Sequence, residues 1–367
     1  MSAINKVLFI APRFHTNQIG IVKALLNEGV EVEFHVLIKG PTEDYAVLTP
    51  IKIEEGKFSR FLSKFLKTQK VNKYYAFPSF FEYFNTIKNF NADLIIIRDP
   101  GRFFSIVSTI IAKLLGIKIC FYTQETLEIE AKNTFRYFFQ KFYKTIFHAE
   151  WITPIGGTDT RIKKFLPFVV ESRFDYLNET SAIEGYSSEK AVAVIGKFTA
   201  RKRLIWALKL AQEFDCKIKI IGENTTKEHA TVYQELLEYV EEHNLGDNVE
   251  FMCNLSHSRT LKELSCSNFF LLTARNEPAS ISVLESLSVG IPVICPLECG
   301  TSSYLTPEKT GYTYRQDDYD DLKNKFRRLL VHVSEDKKIR VECLNSSAEN
   351  FSEQAYINKF NYIFKRE

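Results

Sequence analysis

Residues 268–298 read Asn-Phe-Phe-Leu-Leu-Thr-Ala-Arg-Asn-Glu-Pro-Ala-Ser-Ile-Ser-Val-Leu-Glu-Ser-Leu-Ser-Val-Gly-Ile-Pro-Val-Ile-Cys-Pro-Leu-Glu. Phe269–Thr273 is a short apolar run of the kind that forms a strand buried on both faces. A polar loop, Ala274 to Ala279, follows and carries Arg275 and Glu277. Ser280 then offers an N-cap to an apolar-periodic helix with Ile281, Leu284, Leu287 and Val289 on its inner face. Gly290 stands where a left-handed residue closes a helix, Pro292 prevents continuation, and Val293 opens the next strand. Strand, loop, helix and strand in this order make one step of a parallel sheet.

Such a loop lies at the carboxyl edge of the sheet, where open α/β folds bind ligands. The first N–H groups of the helix, at Ile281, Ser282 and Val283, are expected to face that edge together with Ala279 and Ser280, and so to suit a diphosphate. Glu277 precedes the helix and Glu285 lies a turn inside it. Two carboxylates do not hold an anion; they suit hydroxyl-rich groups on either side of it, since an ionised carboxylate accepts from vicinal hydroxyls.

The E-x7-E spacing from Glu277 to Glu285, with the continuation Ser288-Val289-Gly290-Ile291-Pro292-Val293-Ile294, resembles glycosyltransferase family 4. The resemblance covers residues 191–315 well and the first half in layout only. It implies the GT-B fold: α/β, with two doubly wound Rossmann-like parallel-sheet domains facing a central cleft. It also implies retaining, metal-independent hexosyl transfer from a nucleotide-diphosphate sugar to a glycan or lipid-linked acceptor in surface polysaccharide synthesis. The donor, a UDP- or GDP-sugar, is then a co-substrate and no cofactor is expected.

Gly196-Lys197-Phe198-Thr199-Ala200-Arg201-Lys202-Arg203 places four cations at a strand-to-helix turn, against the helix dipole, which calls for an anion. The stretch resembles the family's G-R-x-x-x-x-K-G element, with Lys197 in the arginine position, Lys202 in the lysine position and Arg203 replacing glycine. Lysine for arginine keeps the charge and loses the bidentate fork. By the same resemblance Glu277, Lys197 and Lys202 serve the reacting diphosphate and sugar and Glu285 the ribose. The resemblance also implies that Gly196, Arg201, Gly222 and Leu255 line the nucleotide.

Length and composition agree with two domains. At 367 residues the chain is long for one core, and its apolar fraction is that of a buried globular protein. The formal net charge of +3 is too small to argue for nucleic acid. Seven scattered cysteines without a signal peptide read as reduced thiols in the cytoplasm. The expected organisation is a first domain over 1–170, a linker over 171–190, a nucleotide-sugar domain over 191–350, and a last helix, 351–367, returning to the first domain.

In the first domain Lys6–Ala11, Val30–Ile38, Ala92–Ile97, Lys118–Tyr122 and Trp151–Pro154 read as strands, and Asp159–Phe165 as a helix. The three-glycine dinucleotide fingerprint is absent. Site residues are expected in the loops after these strands, and the resemblance implies that His15, Asn17, Gly20, Arg98 and Glu125 there lie on the acceptor side. Gln124 stands where many family members carry a histidine, and an amide cannot carry a proton at neutral pH. That departure supports the alternative reading, a catalytically silent GT-B partner that binds nucleotide-sugar or a sister transferase. Residues 57–90 and 135–151 interleave lysine and arginine with many aromatics, which fits either an amphipathic surface at an anionic membrane, with peripheral attachment to the inner face, or helices packed on their own domain with a solvated basic face. Asp318-Tyr319-Asp320 has the form of a metal motif but opens a helix, where acidic residues favour the dipole; no metal site is assigned.

Overall fold

A computed structural model describes residues 4–40, 43, 45–65, 74–124, 134–157, 159–171, 190–214, 216–336 and 338–364. They divide into two compact units. One gathers the described residues within Met1–Gln124, Lys132–Val169 and Glu353–Glu367; the other gathers those within Val170–Ser352.

The first unit runs β1 (Lys6–Arg13), α1 (Ile19–Asn27), β2 (Glu31–Ile38), β3 (Ile51–Lys52), α2 (Lys57–Phe65), α3 (Phe80–Phe90), β4 (Leu94–Arg98), α4 (Phe103–Leu114), β5 (Lys118–Tyr122), α5 (Thr134–Phe147), β6 (Glu150–Thr153) and β7 (Lys164–Phe165). Its strands form one parallel sheet in the order β3-β2-β1-β4-β5-β6-β7. Alternation along β1 builds both layers. Val7, Phe9 and Ala11 join one core with Val22 and Leu25 of α1, while Leu8 and Ile10 join another with Ile87 of α3 and Phe104 of α4.

The expected helix over Asp159–Phe165 does not form. Asp159 Oδ1 accepts from the N–H of Phe165 at 2.8 Å and Thr160 Oγ1 from that of Lys163 at 3.0 Å. These local bonds hold a polar turn, and Lys164 and Phe165 become the short edge strand.

The second unit runs β8 (Ala191–Ile195), a 3₁₀ turn (Ala200–Lys202), α6 (Ile205–Glu213), β9 (Lys217–Gly222), α7 (Lys227–Glu242), β10 (Val249–Cys253), α8 (His257–Ser265), β11 (Phe269–Leu271), α9 (Ile281–Ser288), β12 (Val293–Pro296), β13 (Gly311–Tyr314), α10 (Tyr319–Glu335) and α11 (Ile339–Phe351). The sheet is again parallel throughout, in the order β10-β9-β8-β11-β12-β13. Gly311 opens β13 at φ +142°, where an added Cβ would lie 1.9 Å from the carbonyl oxygen of Val293; only glycine lets β13 approach β12 there. The last helix, α12 (Glu353–Phe364), packs on the first unit, burying Tyr356, Phe360 and Phe364 in the core that α1 also covers.

Strand order reverses between β1 and β4 in the first sheet and between β8 and β11 in the second. In doubly wound folds a ligand crevice opens beyond the carboxyl ends of such strand pairs. The loops that follow these four strands are therefore the places to look for chemistry.

Candidate functional site

In the second unit the two loops beyond the switch point meet. Glu277, from the loop after β11, takes Lys202 Nζ at 2.7 Å and Arg201 Nη1 at 2.8 Å on the same oxygen, Oε2. The glutamate and lysine side chains are 10% and 14% exposed, whereas Arg201 is 47% exposed. Lys202 reaches Glu277 by lying across Gly196, where an added Cβ would sit 3.2 Å from its side chain. Thr273 and Lys202 fasten the loops further, the hydroxyl of Thr273 donating to the Lys202 carbonyl at 2.6 Å.

Arg201, not Lys197, joins Lys202 at this carboxylate. Lys197 points the other way and pairs with Glu223 at 2.7 Å. Burial raises the Glu223 carboxyl, but hydrogen bonds from Lys197 and Thr225 outweigh it, and the net shift is below the usual carboxylate range. Gly222, which ends β9, has no room for a Cβ, since the Phe198 ring would lie 2.5 Å away. Leu255 is half-buried in the turn between β10 and α8.

Arg203, in the position the family gives to glycine, has φ +47°, the left-handed conformation that explains a glycine there. Its guanidinium donates to the Gln316 carbonyl at 2.8 Å, pairs with Asp317, and lies 4.8 Å over the Trp206 ring. It is tied down away from Glu277.

Helix α9 departs from expectation at its start. Ser280 occupies the N-cap position, but its side chain makes no cap bond; its N–H donates instead to Thr301 Oγ1 at 3.2 Å. The Val283 N–H turns back to the Ser280 carbonyl at 3.3 Å, so it is not one of the donors facing the edge. Among the described residues neither the Ile281 nor the Ser282 N–H has a hydrogen-bond partner. Ala279 is half-buried beside them. Glu285, one turn on, accepts from or pairs with His257 Nε2 at 2.7 Å. His257 is exposed at the start of α8, and its only sequence signal is its place just after β10.

In the first unit Gln124 Oε1 accepts from Arg98 Nη2 at 2.9 Å and from Asn17 Nδ2 at 3.4 Å, while its Nε2 donates to the Tyr122 hydroxyl at 2.6 Å. The amide is thus the hub joining the loops after β1, β4 and β5. His15 reaches solvent in the same cluster, and desolvation together with the charges of Arg98 and Arg13 lowers its pKa to about 4, so it is neutral at physiological pH. Gly20 brings the start of α1 against Val169, whose carbonyl oxygen would lie 2.3 Å from an added Cβ. Glu125 lies outside the described residues.

Among the described residues no group of three or more histidine, cysteine, aspartate or glutamate side chains could hold a metal ion. Asp318 caps α10, its Oδ1 accepting from the Asp321 N–H at 2.8 Å.

Two doubly wound, all-parallel α/β units match the GT-B fold of solved glycosyltransferases. A glycosyltransferase from Rickettsia africae superposes with a TM-score of 0.75 at 14% identity, covering 99% of this chain and 98% of its own. Anabaena HepE in complex with UDP gives 0.75 at 10% identity, over 98% and 99%. A variant of S. aureus TarM in complex with fondaparinux, alpha-GlcNAc-glycerol and UDP gives 0.68 at 11% identity, over 99% and 100%. Residues 179–345 match the family described as glycosyl transferases group 1. No curated protein matches the chain in sequence. The family match covers part of the chain, residues 179–345, and the solved structures share its fold.

Proposed function

We propose that the protein is a retaining glycosyltransferase of the family 4 type, moving a sugar from a nucleotide-diphosphate donor to a saccharide acceptor. One observation carries the reading: Glu277, Arg201 and Lys202 converge at the switch point of the second sheet, beside the free N–H groups that start α9. Cations and N–H dipoles placed there stabilise charge developing on a leaving diphosphate. Glu277 is the acceptor for donor-sugar hydroxyls and Glu285 for the ribose. Lys197, beside Glu223, adds charge at the rim of the same loop. HepE and TarM, solved with UDP, agree with a nucleotide donor.

On this reading the chemistry uses no resident metal ion or cofactor. The first unit takes the acceptor through Asn17, Arg98 and Gln124, with His15 as a neutral hydrogen-bonding neighbour. The acceptor is a glycan or lipid-linked saccharide of a surface polysaccharide, and exposed aromatic side chains on the first unit suit a membrane surface. The cell compartment is the cytoplasm at the inner face of the membrane.

A second reading, a silent partner that binds nucleotide-sugar without turnover, is favoured by Gln124 alone. Its amide is engaged by Arg98 and Tyr122 and cannot take up a proton at neutral pH. One experiment separates the two: hydrolysis and transfer assays with UDP-, GDP-, ADP- and dTDP-sugars on wild type and Glu277→Ala, with nucleotide binding measured in parallel. The transferase reading expects turnover with one nucleotide class, lost at least about a hundredfold in the variant. Binding without turnover in the wild type would establish the silent partner instead.

A further inference from the structure

We infer that Glu277 is the resident counterion of the donor site and makes it prefer sugar-bearing nucleotide over the bare diphosphate; this rests on the donor reading above. The two cations that meet the loop before α9 are not free. Lys202 and Arg201 both sit on Glu277 Oε2, at 2.7 and 2.8 Å. The neighbouring cations are also satisfied: Lys197 by Glu223 at 2.7 Å, and Arg275 by Asp317 at 3.5 Å. Only at Lys202 are both partners nearly buried, so only there is the pairing strengthened by loss of water.

A diphosphate arriving at Lys202 and Arg201 must therefore share them with a carboxylate that cannot leave, because the loop after β11 carries it and Thr273 holds that loop to Lys202. Drawing the cations toward phosphate oxygens leaves Glu277 under-compensated beside a second anion. Hydroxyl donors can offset this. Among the described residues Glu277 Oε1 takes no hydrogen bond, and both oxygens of a carboxylate accept. A donor sugar brings hydroxyls to that carboxylate, whereas a nucleoside diphosphate brings only more negative charge. The same side chain that receives the sugar thus weakens the hold on the product nucleotide once the sugar has gone.

The test is calorimetric titration of the full chain with UDP, GDP and ADP, their glucose conjugates, and inorganic pyrophosphate. It is run on wild type, Glu277→Gln, Lys202→Met and Asp317→Asn. Glu277→Gln is expected to bind the bare diphosphate and pyrophosphate roughly fivefold or more tightly than wild type, the scale of releasing one partly buried ion pair. The preference for the sugar conjugate should fall toward unity in the same variant. Lys202→Met should lose affinity for both, which also reads the pair if Glu277→Gln folds poorly. Asp317→Asn removes an exposed carboxylate beside other cations and controls for bulk charge. Equal or weaker diphosphate binding in Glu277→Gln, or an equal gain in Asp317→Asn, would overturn the inference while leaving the donor reading intact. A wild type that binds none of these ligands would overturn both.

Discussion

At the scale of single residues, Arg203 shows how one side chain can hold a conformation it does not favour. A left-handed backbone costs a non-glycine residue about 1–2 kcal/mol. The Asp317 pair, the Gln316 carbonyl and the stack on Trp206 offset it. Two substitutions separate these terms. Arg203→Gly loses the contacts but relieves the backbone, and its stability should stay within about 1 kcal/mol of wild type. Arg203→Ala loses the contacts and keeps the strain, and should be the less stable of the two by about 1 kcal/mol. Urea midpoints at constant slope would check the order, and a reversal would mean that Arg203 is not strained. The departure from the family pattern was legible in the sequence; its physical reason, a positive φ, was not.

Helices show where local pattern decides and where it is overruled. Asp318 stands three residues before Asp321 and caps α10 by accepting its N–H, as acidic residues at a helix start are expected to do. Asp318→Ala should therefore lower stability by about 1 kcal/mol. Magnesium or manganese should shift the melting temperature of neither wild type nor variant. A metal-dependent rise lost in the variant would restore the metal reading of this motif. The stop of α9 was equally legible, since Gly290 adopts φ +76° just past the helix. Its start was not: Thr301, twenty-one residues away, takes the Ser280 N–H, a partner no local pattern announces. Helix α11 is the converse case. Arg340, Ser346 and Ser347 are buried in it, so its polar residues hide the periodicity, and packing of Leu344 on Gly290 places it instead.

For the molecule as a whole, the outer helices of the first unit carry an unusual surface. Phe58, Phe61, Phe81, Phe138 and Phe142 are each at least 60% exposed, and Lys57, Arg60 and Lys141 are exposed among them. Phe58, Phe77, Phe103, Ile106 and Val107 border an apolar hollow of about 370 Å³ between α2 and α4. No helix, among the described residues, is long and apolar enough to cross a membrane. Exposed aromatics between cations suit shallow insertion at an anionic interface. Sedimentation with vesicles should show binding that needs anionic lipid and weakens in Phe58→Ser/Phe61→Ser without change in far-UV circular dichroism. No binding at moderate salt would remove the membrane from the proposed function.

The sequence by itself determined the fold class, because buried parallel strands must be near-continuous apolar runs and their helices must start and stop on recognisable residues. It also named the glutamates and the cation cluster, since both sit in short loops next to such strands. Only the tertiary structure decided which cation meets which carboxylate. Lys197 and Lys202 are five residues apart in one loop, yet one faces Glu223 and the other Glu277. That choice depends on strand order, which sets the loop after β8 beside the loop after β11, so that Lys202 meets a carboxylate 75 residues on, and local pattern carries no record of which strands become neighbours.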